Sequence, residues 1–222
     1  MNIMVFDSCL DKTYVSLLTE KSFITSEIIE NHNEKYHSAF LIPTIVKILK
    51  ENNLTMQDID VIGTNVGPGS FTGIRACVTV ARVIAQQLNC LTIGVNSLEI
   101  LSKINKSASN TIVILDARKN QYYTAVYENG IEIKQPELTN ADDVLKMSLS
   151  ESSIISDEST HKFLAENGYN SEIYTAYNDN LGLYLGQIVR ECVLNNENSD
   201  YSWARLKPLY LQAPPVSMPK KI

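Results

Sequence analysis

The opening of this chain occurs twice. Ile3-Met-Val-Phe-Asp7 is answered by Ile112-Val-Ile-Leu-Asp116, each an apolar run of strand length ending in an aspartate. After the first, Thr13-Tyr-Val-Ser-Leu-Leu18 and Phe23-Ile-Thr-Ser-Glu-Ile28 read as a hairpin. After the second, Tyr122-Tyr-Thr-Ala-Val-Tyr127 and Ile131-Glu-Ile-Lys134 read as another, turned at Asn129-Gly130. A helical pattern follows each hairpin, at 33–50 with Pro43 marking its start or a kink, and at 141–147. Two halves that both open β-β-β-α predict a duplicated, two-lobed α/β fold. Between them the first half reads strand 59–64, helix 72–88, strand 91–95 and a short helix capped by Ser97. The second half reads strand 153–156, helix 160–166, helix 181–195 and a closing strand at Pro208-Leu-Tyr-Leu211. The polar stretch 103–110 reads as a linker. The expected division is a lobe over 1–102, a second over 111–212 and a loose tail over 213–222.

The most tightly specified stretch joins strand 59–64 to helix 72–88. It is Val66-Gly-Pro-Gly-Ser-Phe-Thr-Gly-Ile-Arg75. Gly67 and Gly69 bracket Pro68, so the backbone turns sharply, and Ser70 or Thr72 can cap the helix that follows. Two readings stand: a strand-to-helix turn needed only for the fold, or a binding corner that uses the free N–H groups of a helix start. Neither the Walker nor the dinucleotide glycine spacing is present, which points away from a nucleotide as its partner.

A duplicated unit of this kind is the plan of the actin-like and ribonuclease-H-like folds. Kinases of that plan hold phosphates in a glycine-bearing turn after the first strand of each lobe. Here those turns are Asp7-Ser-Cys-Leu-Asp-Lys-Thr13 and Asp116-Ala-Arg-Lys-Asn120, and neither holds a glycine. A small-molecule kinase of the same fold is therefore an alternative rather than the first reading. A ribonuclease-H-like nuclease needs converging carboxylates, yet the fourth strand ends at Asn65, and a lone Asp7 reads better as a turn-stabilising residue; a metal-dependent hydrolase or peptidase-like protein is the weaker alternative. His32, His37 and His161 lack a ligand spacing. No Ser-His-Asp or Cys-His arrangement can be read. The four cysteines, at 9, 77, 90 and 192, form no Cys-x-x-Cys and read as reduced thiols.

What remains is surface. From 72 to 88 only Arg75 and Arg82 are charged, and apolar side chains cover most of the helix circumference, wider than one-sided packing needs. In the preceding helix Ile42, Ile45, Val46 and Leu49 are expected to face the sheet, leaving His37, Phe40, Leu41, Thr44 and Ile48 as a second apolar-leaning face. The two helices either cover each other or share an interface with another polypeptide. Gly73, Ala76 and Ala81 would allow a close helix approach. A net charge of −6 with scattered cations makes a stand-alone nucleic-acid binder a poor fit. The apolar run at 3–6 is too short for a signal peptide and nothing reads as a membrane span, so a cytoplasmic location is expected.

The ten-residue corner resembles the signature of the TsaB family, an accessory subunit of bacterial tRNA threonylcarbamoyladenosine biosynthesis. His37-Ser38 with Leu41 and Pro43 resembles that family's first-helix motif. Gly94-Val-Asn-Ser-Leu-Glu99, Leu115-Asp-Ala-Arg-Lys119 with Tyr122-Tyr123, and Pro208-Leu-Tyr-Leu211 resemble further segments, in order along the chain. The departures are Asp7-Ser8-Cys9 where the family has Asp-Thr-Ser, Ala39 where it has Glu, and Gln212 where it has Arg. The resemblance implies an actin-like protein without catalysis of its own. It would pair with the catalytic paralogue TsaD, be joined by the ATPase TsaE, and meet tRNA only through that complex. ATP and metal would belong to the partner subunits. A homodimer through the same two helices is expected in isolation. The mating surface so implied comprises His37, Phe40, Leu41, Thr44 and Ile48, the corner residues Gly67, Pro68, Gly69, Ser70, Phe71, Thr72, Gly73 and Arg75, and Ala76, Val80, Ala81 and Ile84.

Overall fold

Strands assemble twice in the same order, the central ones of each set grown from apolar runs of strand length. In a computed structural model that describes residues 1–29, 37–105, 108–176, 180–195 and 200–212, the first half comprises β1 (Asn2–Asp7), β2 (Thr13–Thr19), β3 (Phe23–Ile29), α1 (Leu41–Glu51), β4 (Val61–Asn65), α2 (Phe71–Leu88), β5 (Leu91–Val95) and α3 (Ser97–Ser102). The second comprises β6 (Asn110–Asp116), β7 (Gln121–Glu128), β8 (Ile131–Asn140), α4 (Ala141–Val144), β9 (Ser153–Ser156), α5 (Glu158–Glu166), β10 (Glu172–Ile173) and α6 (Leu181–Asn195).

The first sheet runs β3-β2-β1-β4-β5 and the second β8-β7-β6-β9-β10. In both, the first strand pairs antiparallel with the second and parallel with the fourth. Asp7 lies opposite Tyr14, and Asp116 opposite Tyr122, so the two strand-end aspartates hold equivalent register positions. The duplicated actin-like α/β fold is present.

Side-chain alternation sorts each sheet into two faces. Ile3 and Val5 enter a core between the sheets, whereas Met4 and Phe6 enter a core shared with α1 and α2. Likewise Val113 and Leu115 face inward, and Ile112 and Ile114 face a third cluster that includes Val144 and Leu164 of α4 and α5. The layers are α1 and α2, first sheet, α3 and α6, second sheet, α4 and α5.

The middle layer does not follow the chain. Helix α6, expected in the lobe 111–212, packs across all five strands of the first sheet, and α3, expected in the lobe 1–102, packs on β6 and β7. Each sheet is closed on its inner side by a helix from the other half.

Several elements differ from the sequence reading. The helix expected at 33–50 begins as a 3-10 turn (His37–Phe40) and becomes α-helical at Leu41, with Pro43 in its first turn. Residues 30–36, including His32, the side chain of His37, and the tail 213–222 lie outside the described residues. Asn96 rather than Ser97 caps α3, accepting the Glu99 N–H at 2.8 Å. Helix α4 ends at Val144, β8 extends to Asn140, and the short β10 was not read. Segment 208–211 is no strand: it crosses the corner with one backbone bond, Leu209 N–H to Val66 O at 2.8 Å. Among the described residues no helix is long and apolar enough to cross a membrane.

Because α6 serves the first sheet from the end of the chain, Leu185→Ala, at a fully buried site, should cost about 2–5 kcal/mol. Urea unfolding should show one shared transition for both halves. Two separate transitions would mean that the halves stand alone.

Candidate functional site

The corner is built by buried polar groups converging from three strand ends. Asp7 closes the turn after β1: its Oδ1 accepts the Cys9 N–H at 2.6 Å, and its Oδ2 accepts Asn65 Nδ2 at 2.9 Å. Asn65 ends β4, and its Oδ1 accepts the Gly67 N–H at 2.8 Å. The Ser97 hydroxyl, 3.0 Å from that same Oδ1, donates to the Pro68 carbonyl at 2.7 Å, while the Ser97 N–H donates to Gly67 O at 2.9 Å. All three of these side chains are buried, so each needs its partners inside the protein.

The backbone then obeys two local demands. Gly67 sits at φ +103, a conformation L side chains rarely adopt, ahead of a cis bond to Pro68. Gly73 lies against Ser8, where a Cβ would overlap the Ser8 carbonyl. Between them Ser70 donates its N–H to Cys9 O at 2.8 Å and accepts the Gly73 N–H on Oγ at 3.3 Å. Of the two expected caps, Ser70 does the capping and Thr72 is exposed. Ser70 thus supplies acceptors for two of the first N–H groups of the helix, those of Gly73 and Ile74.

Helix α2 leaves this corner with Gly73, Ile74, Cys77, Val78, Ala81 and Ala85 buried. Val83 is 54% exposed, and Ala76, Val80 and Ile84 are half-buried beside it. In α1 Ile45 and Leu49 face the sheet as expected, but Ile42 and Val46 do not, and Leu41, Thr44 and Ile48 take their place. Leu41, Thr44, Ile45, Ile48 and Leu49 are buried, whereas Ile42 is 55% and Val46 54% exposed, with Phe40 also open. Of the residues expected on the mating surface, Leu41, Thr44, Ile48, Gly67, Pro68, Gly73 and Ala81 are buried in the interior of the monomer. The physical reason is that α1 is apolar on both faces, so only the position of the sheet chooses between them. On this side of the molecule the exposed apolar side chains are Phe40 just before α1, Ile42 and Val46 on α1, and Val83 on α2; elsewhere Ile131 and Ile133 of β8 are also exposed.

A segment whose end the sequence reading took for a closing strand borders this surface. From Thr92 N–H to Tyr201 O at 2.8 Å, the chain runs as a strap along α2. Leu206 is buried beside Val66. Further on, Tyr210 stacks on Phe71 with centroids 5.4 Å apart, and Arg75 Nε donates to Tyr210 Oη at 3.1 Å. Arg82 lies 5.7 Å from the Trp203 ring centroid. Gln212 ends the strap on the second half, donating to Ala117 O at 2.9 Å. The sequence marked only its end, at 208–211, and the aromatics at 203 and 210 that hold the arginines were not singled out.

Chemistry at the corner is limited. Among the described residues, Asp7, Cys9 and Cys77 are the one group whose ligand atoms lie within 4.8 Å of one another, and all three are buried. Both Asp7 oxygens already accept hydrogen bonds. Burial, with the Cys77 thiol beside it, pushes the Cys9 thiol well above its ordinary value, the reverse of an activated nucleophile. His161 Nδ1 sits 2.9 Å from Ser171 Oγ, a local pairing.

The family model described as "TsaD: tRNA N6-adenosine threonylcarbamoyltransferase" matches residues 24–178. A Bacillus subtilis relative, "tRNA threonylcarbamoyladenosine biosynthesis protein TsaB", is 33% identical over 134 residues, covering 59% of this chain and 58% of the relative. The protein of the same name from Escherichia coli is 27% identical over 140 residues, covering 59% and 58%. The matched stretch thus spans just under three-fifths of each of these relatives. In three dimensions the solved structure of YeaZ from Pseudomonas aeruginosa superposes with a TM-score of 0.77 over 95% of this chain and 99% of that one, at 18% identity, which is a likeness of fold.

Asn65 holds three other groups at once. Asn65→Ala should lower unfolding free energy by about 3 kcal/mol, because it removes one donor from the buried Asp7 carboxylate and strands the Gly67 N–H in the interior. Chemical denaturation measures this, and a loss below about 1 kcal/mol would show that the corner repacks without it.

Proposed function

This chain belongs to the TsaB family, within the broader family of tRNA N6-adenosine threonylcarbamoyltransferases, and on that premise we propose that it is a non-catalytic partner subunit in tRNA threonylcarbamoyladenosine biosynthesis. It binds and activates the catalytic paralogue TsaD. The ATPase TsaE joins that assembly, tRNA is met through the complex, and ATP and metal are held by the partner subunits. The work is cytoplasmic.

The observation that carries this reading is the uncovered apolar surface of α1 and α2. Ile42, Val46 and Val83 are each more than half exposed on helices whose opposite faces are sealed in the core. A monomer gains nothing from such side chains in water, whereas a second helical face that covers them removes apolar area from solvent. The strand-end aspartate supports the same reading. In a catalytic relative a carboxylate at that place would need to face a ligand, yet here Asp7 holds Cys9 and Asn65. The turns at 7–13 and 116–120 lack glycine, which argues against the kinase alternative.

Val83→Asp and Val46→Asp place a carboxylate on the open face without touching the core. Both should keep the wild-type melting temperature and weaken binding to TsaD by about tenfold or more. Gel filtration and calorimetry of the mixed chains measure it. Unchanged binding by both variants overturns the interface, and tight ATP binding by the isolated chain would favour the kinase reading instead.

A further inference from the structure

The charge on the open face is opposite in sign to that of the chain. The protein carries a net −6, yet α1 and α2 together hold the cations Lys47, Lys50, Arg75 and Arg82 and the single carboxylate Glu51. Lys47 is answered by Glu51 at 4.0 Å. The two arginines are not answered: among the described residues neither forms an ion pair, and each is held over aromatic rings instead. The Arg75 guanidinium lies 5.9 Å from the Phe71 centroid and 6.0 Å from that of Tyr210, and Arg82 lies 5.7 Å from that of Trp203.

Stacking over a ring fixes the plane of a guanidinium and leaves its edge N–H groups for a carboxylate. Among the described residues Arg75 bonds only through Nε, to Tyr210, which leaves both terminal nitrogens for a two-toothed contact. Seven residues separate Arg75 from Arg82, two helical turns or about 10.5 Å along α2. The result is a ruler with two preset anion positions beside an apolar stripe, and the strap that presets them borders that stripe.

Resting on the interface reading above, we infer that this face selects a different chain, one whose apolar helical surface carries carboxylates spaced to meet Arg75 and Arg82, and that it disfavours a second copy of itself. Two copies placed face to face would bring four cations of each helix pair against four of the other, with one carboxylate apiece. Like charges in contact lower affinity and unlike charges raise both affinity and association rate. Salt screens both effects, over about 10 Å at 0.1 M. The self-pairing implied by family resemblance is therefore the weaker event for this chain.

The test compares the full chain alone with the full chain plus TsaD across ionic strength. Sedimentation equilibrium should find self-association strengthened by sodium chloride, whereas the dissociation constant with TsaD should rise about tenfold between roughly 0.05 and 0.5 M. Arg82→Glu should weaken TsaD binding about tenfold, and its equimolar mixture with wild type should associate more tightly than wild type alone. Arg75→Glu repeats the measurement at the second position, and thermal melts verify that each variant is folded. Self-association that is tightest at low salt, or TsaD binding indifferent to both salt and charge reversal while Val83→Asp still abolishes it, overturns charge selection alone. If Val83→Asp and both reversals leave TsaD binding unchanged, the interface itself is wrong.

Discussion

The hydrogen bond between Asp7 and Asn65, 2.9 Å and fully buried, is the constraint on which the rest of the molecule depends. It joins the ends of β1 and β4, two parallel neighbours whose following segments diverge. Asp7 turns the chain after β1 through the Cys9 N–H, and Asn65 turns it after β4 through the Gly67 N–H. Ser97, from the start of α3, closes the third side. A buried polar network of this kind stabilises one geometry because any alternative leaves a donor or acceptor stranded in low dielectric. The direction in which α2 leaves the sheet, and so the plane in which Val83, Arg75 and Arg82 are displayed, follows from it.

That constraint also decides what the strand-end aspartate does. In a duplicated fold of this type, the cleft between the lobes is where a carboxylate would meet a ligand. Here the two lobes differ at that place. Asp7 is buried and engaged on both oxygens, whereas Asp116, at the equivalent register position, is exposed and turns its own hairpin through the Arg118 N–H at 2.7 Å. Duplication has kept the architecture while each copy of the aspartate serves as a turn-former.

Much of this was legible in the residues, and the failures have identifiable causes. The strand-length runs ending in Asp7 and Asp116 gave the repeat, and the glycines around Pro68 gave the corner, because both are local demands on the backbone. The open face of α1 was misread because Leu41, Ile42, Ile45, Val46 and Ile48 form no single stripe, and a helix apolar all round does not say which side the sheet takes. The position of α6 was hidden for a related reason: its apolar residues need a sheet but do not name one. Asn65 was noted only as the wrong residue for a metal. Its role depends on three partners at separations of 2, 32 and 58 residues, which no spacing rule detects. The strap was misread as a strand because Pro208 to Leu211 has β-forming residues, yet it makes one backbone bond to the corner and gains its place through Leu206, Tyr210 and Trp203.

The exchange of helices between the halves bears on how the molecule comes into being. Strands β1 to β5 are all synthesised by Val95, but the helix that covers their inner face ends at Asn195. At ribosomal speeds of about 5–20 residues per second, the first sheet waits roughly 5–20 seconds with Ile3, Val5 and Val61 bare to water. A nascent chain in that condition is a ready client for chaperones at the exit tunnel, and its vulnerability to aggregation belongs to birth rather than to the finished protein.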